Sequence, residues 1–368
     1  MTAVTHTPHS PYAADTMLPA SHTDLWRGIR AKGLRTVAVM GMSKNTGKTV
    51  CLNHLLAQAH EAQMHVGVTS IGRDGEERDQ VFAIPKPPVM VTPGCLVATA
   101  RDTLLRARAR VKLIDATGVH SPMGEIVIVK VLDAGDMEVA GASRSLDQHK
   151  VIALLRQCGA DMVLLDGALG RSHHASPAMA DGVILATGAA LGGGMDDVLR
   201  KTRDRLAILG APAAPAELLK RVLTTFDKGG VGIWNSQGGC LFNEVIPTLN
   251  AAPVILDQIE KDIAVIAVSG AVGQRLWQAL MKVAQHHPGL RLVVSDGTKL
   301  FIDAIDLNAF ERAGAQVLAQ RAVHLAGITL NPWSPFGGSF DARAFLAQAR
   351  QAFPQHIVTD VLLTKEET

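Results

Sequence analysis

One short segment has residue types and spacing that predict a chemical role. In it, glycine, lysine and threonine follow one another, and a second glycine precedes them. Residues 41–49 read Gly-Met-Ser-Lys-Asn-Thr-Gly-Lys-Thr. In a phosphate-binding loop (P-loop, Walker A), backbone N–H groups and a helix N-terminus hold phosphate oxygens, the lysine adds a positive charge, and the next hydroxyl binds Mg²⁺. We therefore predict a nucleotide-binding loop with contacts from Gly41, Ser43, Lys44, Asn45, Thr46, Gly47, Lys48 and Thr49.

The residues on either side of this loop favour the same interpretation. The apolar run 36–40 predicts a buried strand before the loop, and apolar residues at helical spacing predict a helix after it. Five residues separate Gly41 from Gly47, where four are usual, and Met42 stands where a glycine is common. Some nucleotide enzymes have this longer spacing. The alternative is that Gly-Lys-Thr begins a helix by chance.

Two aspartates are candidates for the acidic groups that a P-loop enzyme needs near its metal. Asp166 ends the apolar run 162–165, where a Walker B carboxylate would reach Mg²⁺. The alternative is that it caps the next turn. Asp74 follows a second predicted strand, 65–71, and is a second candidate for metal binding or water positioning. The candidate catalytic residues are thus Lys48, Asp166 and Asp74, and the candidate metal ligands are Thr49, Asp166 and Asp74.

The order of predicted strands and helices indicates an α/β fold. We expect a P-loop NTPase parallel sheet with a β-rich insertion and a second α/β region at the C-terminus. The predicted organisation is a flexible tail over 1–22, a P-loop domain over 23–210 with the insertion at 81–143, and a C-terminal α/β domain over 211–368.

Alternating apolar residues and turn signals predict two hairpins. One joins 125–132 to 137–139 within the insertion, and the other joins 221–226 to 231–234 as the connection into the C-terminal domain. Further strands of that domain are predicted at 263–268, 291–295, 324–330 and 357–362.

Composition excludes several classes of protein. A net charge of +2, from 36 basic and 34 acidic residues, argues against a surface that follows a nucleic-acid duplex. No run reaches the roughly 18 apolar residues that span a bilayer, and the first residues lack the apolar core of a secretory signal. The four cysteines form no Cys-x-x-Cys pair, which predicts reduced thiols and no metal cluster. We expect a cytoplasmic protein that binds neither nucleic acid nor membrane.

Four shorter features carry less information. His173 and His174 are typical of a loop surface, and the glycines at 192–194 suit either an anion-binding turn or flexible chain. The sequence Asp-Gly-Thr-Lys at 296–299 resembles a small anion site at a strand end, and Asn-Pro at 331–332 ends a later strand. None of these features predicts a function by itself.

The longer glycine spacing is similar to that of the dethiobiotin synthetase and cobyrinate amidoligase branch of P-loop proteins, which implies a parallel sheet, ATP and Mg²⁺. Taken with other short blocks, the loop resembles the smaller, P-loop subunit of lysine 5,6-aminomutase reactivases. The blocks are spread over most of the chain and are Thr-Ser-Ile-Gly-Arg-Asp-Gly-Glu (69–76), Leu-Asp-Gly-Ala (165–168), Ala-Ser-Pro (175–177), Ala-Thr-Gly-Ala (186–189), Thr-Lys-Leu-Phe-Ile (298–302) and Asn-Pro (331–332).

This resemblance implies work with a MutS-like ATPase partner subunit on an adenosylcobalamin-dependent aminomutase. ATP binding and hydrolysis would drive release of a damaged cofactor, with the nucleotide held at Lys48 and Thr49. In many nucleotide-dependent proteins the γ-phosphate keeps a segment of the chain ordered until it is hydrolysed. The candidate segments for such a switch are 73–79 and 188–194. A homo-oligomer is compatible with this role.

Two alternatives remain open. The first is an ATP-dependent carboxylate–amine ligase, although no lysine ends the second strand as in dethiobiotin synthetases. Cys240 also lacks the surrounding Gly-x-Cys-x-Gly elbow of glutamine-using amidoligases. The second alternative is a nucleotide-gated binding subunit without turnover of its own, whose partner supplies hydrolysis.

Overall fold

The computed structural model of the chain describes residues 24–70, 88–167 and 176–363. Its main feature is a nine-stranded, mostly parallel sheet in the order β16-β15-β9-β1-β8-β2-β4-β6-β5. The strands are β1 (Thr36–Gly41), β2 (Val66–Ser70), β4 (Leu96–Ala100), β5 (Arg110–Ser121), β6 (Gly124–Asp133), β8 (Met162–Asp166), β9 (Gly182–Gly188), β15 (Leu325–Asn331) and β16 (Val358–Thr359). The antiparallel pairs of this sheet are β4 with β6 and β6 with β5, at one edge of the sheet.

A second, five-stranded sheet has the order β11-β10-β12-β13-β14. Its strands are β10 (Val231–Trp234), β11 (Cys240–Glu244), β12 (Val265–Val268), β13 (Arg291–Val294) and β14 (Gln316–Ala319), of which the last three are parallel. A two-stranded ribbon pairs β3 (Val89–Val91) with β7 (Gly135–Met137).

Helices cover both sheets. Those beside the first sheet are α1 (Leu25–Ala31), α2 (Lys48–Glu61), α3 (Ser145–Gln157), α4 (Met195–Leu209) and α9 (Ala342–Ala352). Those of the second sheet are α5 (Ala216–Lys228), α6 (Ala251–Leu256), α7 (Gln274–His286) and α8 (Ala304–Arg312). None of the helices in the described ranges is long and apolar enough to cross a membrane.

The strands next to the predicted loop are buried on both faces, as in parallel sheets with helices on either side. Along β1, Val37 and Val39 pack in a core that includes residues of α1 and α2. Ala38, which points to the opposite face, packs in a second core with residues of α3. This two-sided burial fixes the end of β1, from which the loop starts.

The structure confirms the α/β class and a large, mostly parallel central sheet. Both predicted hairpins are wrong. Strand β6 pairs with β5 and β4, whereas 135–137 forms β7 and pairs with β3. Residues 221–226 are helical and lie within α5, because Leu218 and Val222, four residues apart, are buried on the same helix face.

The sheet topology relates the predicted regions to one another. The β-rich segment contributes β4, β6 and β5, which extend the central sheet. The strands of 211–368 are divided between the two sheets, because β15 and β16 return to the first sheet beside β9. In the sequence, the second sheet therefore lies between two parts of the chain that build the first.

Candidate functional site

The loop 41–49 connects β1 to α2 at the carboxyl ends of the parallel strands, which is where open α/β sheets bind ligands. Strand β1 lies between β8 and β9, with Val39 level with Asp166 and Gly41 level with Ala186. The backbone N–H of Met42 donates to the carbonyl of Ala186 at 2.9 Å, which anchors the beginning of the loop to β9.

The loop folds back tightly over its first residue. Asn45 and Gly47 have left-handed backbone conformations, with φ of 62° and 86°. The Thr46 hydroxyl donates to the carbonyl of Ser43 at 3.0 Å. A Cβ atom on Gly41 would lie 2.7 Å from Thr46 Oγ1, so only glycine fits there without displacing the loop.

Lys48 begins α2, and its side chain crosses to the neighbouring strand. Its Nζ donates to the carbonyl of Gly167 at 2.7 Å, immediately after β8. Thr49 is buried in the same first turn of α2. The N–H groups of a first helical turn have no partners within the helix, and the dipole there favours an anion. The loop thus joins a helix N-terminus, an ammonium group and a hydroxyl.

Asp166 is the last residue of β8 and is almost fully buried, with 4% of its surface exposed. It lies level with Val39 on one side and Ser70 on the other. A Cβ atom on Gly167 would lie 2.7 Å from the carbonyl oxygen of Val39, so the chain after Asp166 passes close to β1. Asp166 and Lys48 therefore come to the same edge of the sheet, as predicted.

Asn331, at the end of β15, reaches the loop from more than 280 residues away in the sequence. Its side-chain Nδ2 donates to the carbonyl of Asn45 at 2.7 Å. Its backbone is held against β9, because a Cβ atom on Gly188 would lie only 2.0 Å from the Asn331 carbonyl oxygen. The local sequence around Asn331 predicts the end of a strand but not a contact with the loop, since nothing local shows which strand lies beside it.

The other predicted site residues fall in different places. Lys44 is exposed, and Ser43 donates its hydroxyl hydrogen to the Lys44 carbonyl at 3.0 Å. Asp74 and the predicted switch 73–79 lie outside the described residues, as do His173 and His174. In the other predicted switch, 188–194, the Lys201 ammonium group donates to the carbonyls of Leu191 and Gly192, both at 3.2 Å.

The donor groups of the loop fit an anionic, phosphate-like ligand. Asn45 Nδ2 is buried and lacks a hydrogen-bond partner among the described residues. A buried donor without an acceptor is costly, and a phosphate oxygen is one acceptor that would satisfy it. Within the described ranges, no group of three or more His, Cys, Asp or Glu side chains is placed to hold a metal ion by itself. The hydroxyl of Thr49 and the carboxylate of Asp166 offer the oxygen donors that Mg²⁺ prefers.

Comparisons with protein-family profiles, with curated protein sequences and with solved structures find no match for this chain.

Proposed function

We propose that loop 41–49 is a P-loop, and that the chain is an ATP-binding and ATP-hydrolysing accessory protein that reactivates an adenosylcobalamin-dependent aminomutase. The main support for nucleotide binding is the position of Lys48. It lies at a helix N-terminus, and its ammonium group is 2.7 Å from the carbonyl of Gly167, the residue after Asp166. When a nucleotide binds, the Lys48 ammonium group would exchange the neutral Gly167 carbonyl for a negatively charged phosphate oxygen. Hydrogen bonds between charged groups are stronger than those to neutral groups.

The proposal assigns roles to residues of the loop and of the strands beside it. Lys48 holds the β- and γ-phosphates, the N–H groups of the α2 N-terminus bind their oxygens, and Asn45 adds a donor. Thr49 and Asp166 would hold Mg²⁺, which neutralises phosphate charge during phosphoryl transfer. Asn331 positions the loop through the Asn45 carbonyl. Asp74 remains a candidate metal ligand or water-positioning residue.

The reactivase part is supported by the resemblance, together with the positions of its sequence blocks in the fold. Four of the blocks include carboxyl ends of strands in the first sheet: 69–76 begins in β2, 165–168 in β8, 186–189 in β9 and 331–332 in β15. Blocks far apart in the sequence thus meet around one edge. The resemblance further implies a MutS-like ATPase partner subunit, which we include in the proposal.

The ligase alternative gains no support from the second sheet. Cys240 begins the antiparallel strand β11, not a sharp turn between a strand and a helix, where a nucleophilic cysteine of an amidoligase would lie. A nucleotide-gated binding subunit without turnover would use the same loop, and only a rate measurement separates it from an ATPase.

The proposal is tested by reactivation of an inactivated aminomutase. Lysine 5,6-aminomutase inactivated with hydroxocobalamin is mixed with adenosylcobalamin, the MutS-like partner and this chain, with or without Mg-ATP. We expect mutase activity to return only with ATP, together with release of hydroxocobalamin that can be followed by its absorbance. ADP and the Lys48→Ala variant serve as controls. If Mg-ATP binds the chain but activity does not return, the reactivase role is wrong while the P-loop assignment survives.

We expect Gly188→Ala to weaken both the fold and ATP binding. The added methyl group would lie 2.0 Å from the Asn331 carbonyl oxygen and must push β15 away from β9. Such overpacking costs about 1–3 kcal/mol, and it displaces the asparagine that holds the loop. Thermal unfolding should show a lower Tm, and titration should show ATP binding weakened by about tenfold or less, which corresponds to up to about 1.4 kcal/mol.

Gly273→Ala is the matched control, since nothing lies within 4 Å of a Cβ atom at that position. As the N-cap of α7, in the second sheet, it should cost about 1 kcal/mol at most, and ATP affinity should not change. A lower Tm with unchanged ATP affinity in Gly188→Ala would show that the contact between β9 and β15 does not position the loop.

A further inference from the structure

A cleft of about 340 Å³ lies at the carboxyl edge of the second sheet, and no residue of loop 41–49 lines it. The parallel strands β12, β13 and β14 all end there, and the residues that follow them line it: Ser269, Ser295, Lys299, Gln320 and Arg321. Ser176, from the first-sheet part of the chain, closes one side. The cleft therefore has the position in its sheet that ligand sites of α/β proteins commonly occupy.

The turn that carries Lys299 is held firmly in place. The buried Asp296 carboxylate accepts hydrogen bonds from the Thr298 backbone N–H at 2.9 Å, from the Thr298 hydroxyl, and from the Ser176 hydroxyl at 2.6 Å. A Cβ atom on Gly297 would lie 2.5 Å from the carbonyl oxygens of Ile208 and Leu209, so the turn packs directly on the end of α4. Lys299 therefore extends from a fixed backbone.

The backbones of both basic residues are fixed by hydrogen bonds to neighbouring strand ends. The Lys299 carbonyl accepts from the Val272 N–H at 2.8 Å, and the Arg321 N–H donates to the Ser295 carbonyl at 3.0 Å. Their side chains form no hydrogen bond or ion pair with any residue that the structure describes. Two basic groups thus reach the same small cleft, and among the described residues neither forms an ion pair with Asp296 or Asp227, the acidic residues of the lining.

The electrostatics of the cleft favour an anion. Burial lowers the pKa of Lys299, and the nearby Asp296 opposes this effect. The Asp296 carboxylate already accepts three hydrogen bonds, and Asp227, the other acidic residue of the lining, is exposed. A half-buried ammonium group loses hydration without gaining an ion pair, and an anion bound in the cleft would supply that pair.

We infer that this cleft binds a small metabolite through a carboxylate or phosphate group held between Lys299 and Arg321. Its volume is at the lower end of the roughly 300–1,000 Å³ typical of ligand pockets, which suits a compact metabolite better than a nucleotide. The hydroxyl groups of Ser269 and Ser295 donate to the carbonyls of Gly230 and Ser269, at 3.0 and 2.7 Å, so they offer acceptor oxygens to the rest of the ligand. This site goes beyond the proposed ATPase and does not depend on it.

The test uses the full-length chain carrying Lys48→Ala, so that the response of the loop to anions is strongly weakened. Inorganic phosphate and succinate are the two probes, each titrated at constant ionic strength while thermal unfolding is recorded. We expect at least one probe to raise the Tm in a saturable way. Adding Lys299→Gln or Arg321→Gln should increase its apparent Kd by about tenfold or more, because each removes a charged partner of the anion.

Lys282→Gln in the same Lys48→Ala background is the matched control, since this exposed lysine of α7 does not line the cleft. A response to phosphate alone identifies a phosphate site, a response to succinate alone identifies a carboxylate site, and both support the inference. The inference is overturned if neither probe raises the Tm, or if Lys299→Gln and Arg321→Gln leave the response unchanged. Circular dichroism verifies that each variant is folded.

Discussion

Lys48→Ala should bind Mg-ATP about a hundredfold more weakly than the unaltered chain. The substitution removes the only side-chain cation that the proposal places on the phosphates, and hydrogen bonds to charged groups contribute about 1.5–3 kcal/mol each. More than one phosphate oxygen depends on this ammonium group, so the loss should reach the upper part of that range. Isothermal titration calorimetry with ATP and Mg²⁺ measures it directly.

The same result should appear in thermal unfolding. A ligand present at one hundred times its Kd stabilises a protein by about 2.7 kcal/mol, whereas a ligand present at its Kd contributes only about 0.4 kcal/mol. ATP at a fixed concentration should therefore raise the Tm of the unaltered chain clearly and that of Lys48→Ala hardly at all. Without ATP, the variant loses one hydrogen bond to the Gly167 carbonyl, which costs about 1 kcal/mol.

Lys282→Ala is the matched control for this experiment, because Lys282 is an exposed lysine on a helix of the second sheet. It should respond to ATP as the unaltered chain does. An equal rise in Tm with ATP in Lys48→Ala and in the unaltered chain would refute the P-loop assignment. The reactivase role would then have no nucleotide site on this chain.

Asp166→Asn should remove most of the Mg²⁺ dependence of ATP binding and leave ADP binding partly intact. The amide keeps the size of the side chain but loses the charge that attracts a divalent cation. Removing even a group that only orients metal ligands typically costs about 10–100-fold in metal affinity or activity, and the proposal makes Asp166 a ligand itself. We expect a loss of that size in the apparent Mg²⁺ affinity, measured by titrating Mg²⁺ at fixed ATP, and in any ATP turnover.

The control for charge is Asp161→Asn, just before β8 at the opposite end of the strand from Asp166. Asp161 is exposed, and its carboxylate accepts a hydrogen bond from the His65 N–H at 3.2 Å, far from the loop. It should leave the Mg²⁺ response unchanged. If Asp166→Asn weakens ADP and Mg-ATP binding equally and also lowers the Tm, Asp166 stabilises the fold and does not serve the metal.

The parts of the fold that were predictable are those determined by neighbouring residues. The strand β1, the loop and the start of α2 occur together in the sequence, so their order could be derived from apolar spacing alone. Strand β5 was missed because it is the outer strand of the sheet and most of its residues face solvent, which leaves no alternating apolar pattern. The strand predicted over 221–226 takes in only the second half of α5, and the helical spacing of Leu218, Val222 and Phe226 becomes evident only over the full helix.

The features of the candidate site that escaped prediction depend on pairing between distant strands. Strand β15 belongs to the first sheet because it pairs with β9. Gly188 lacks a side chain and so leaves room for the backbone of Asn331 at the end of that pairing. The role of Asn331 follows from that pairing and has no local signature. The same holds for Lys299 and Arg321, which are near each other only because β13 and β14 are adjacent.

The return of the chain to its first sheet has a consequence for how the protein is made. Helix α1, near the N-terminus, packs on β15, and Gly28 leaves room for the side chain of Ile357 beside it. While the protein is being synthesised, β9 can pair with β1 but lacks its other neighbour, β15, until more than 300 residues have been made. The loop 41–49 can then reach its final form only after β15 has been synthesised, because Asn331 holds the Asn45 carbonyl. The unpaired edge of β9 is the surface that a chaperone would have to protect in the meantime.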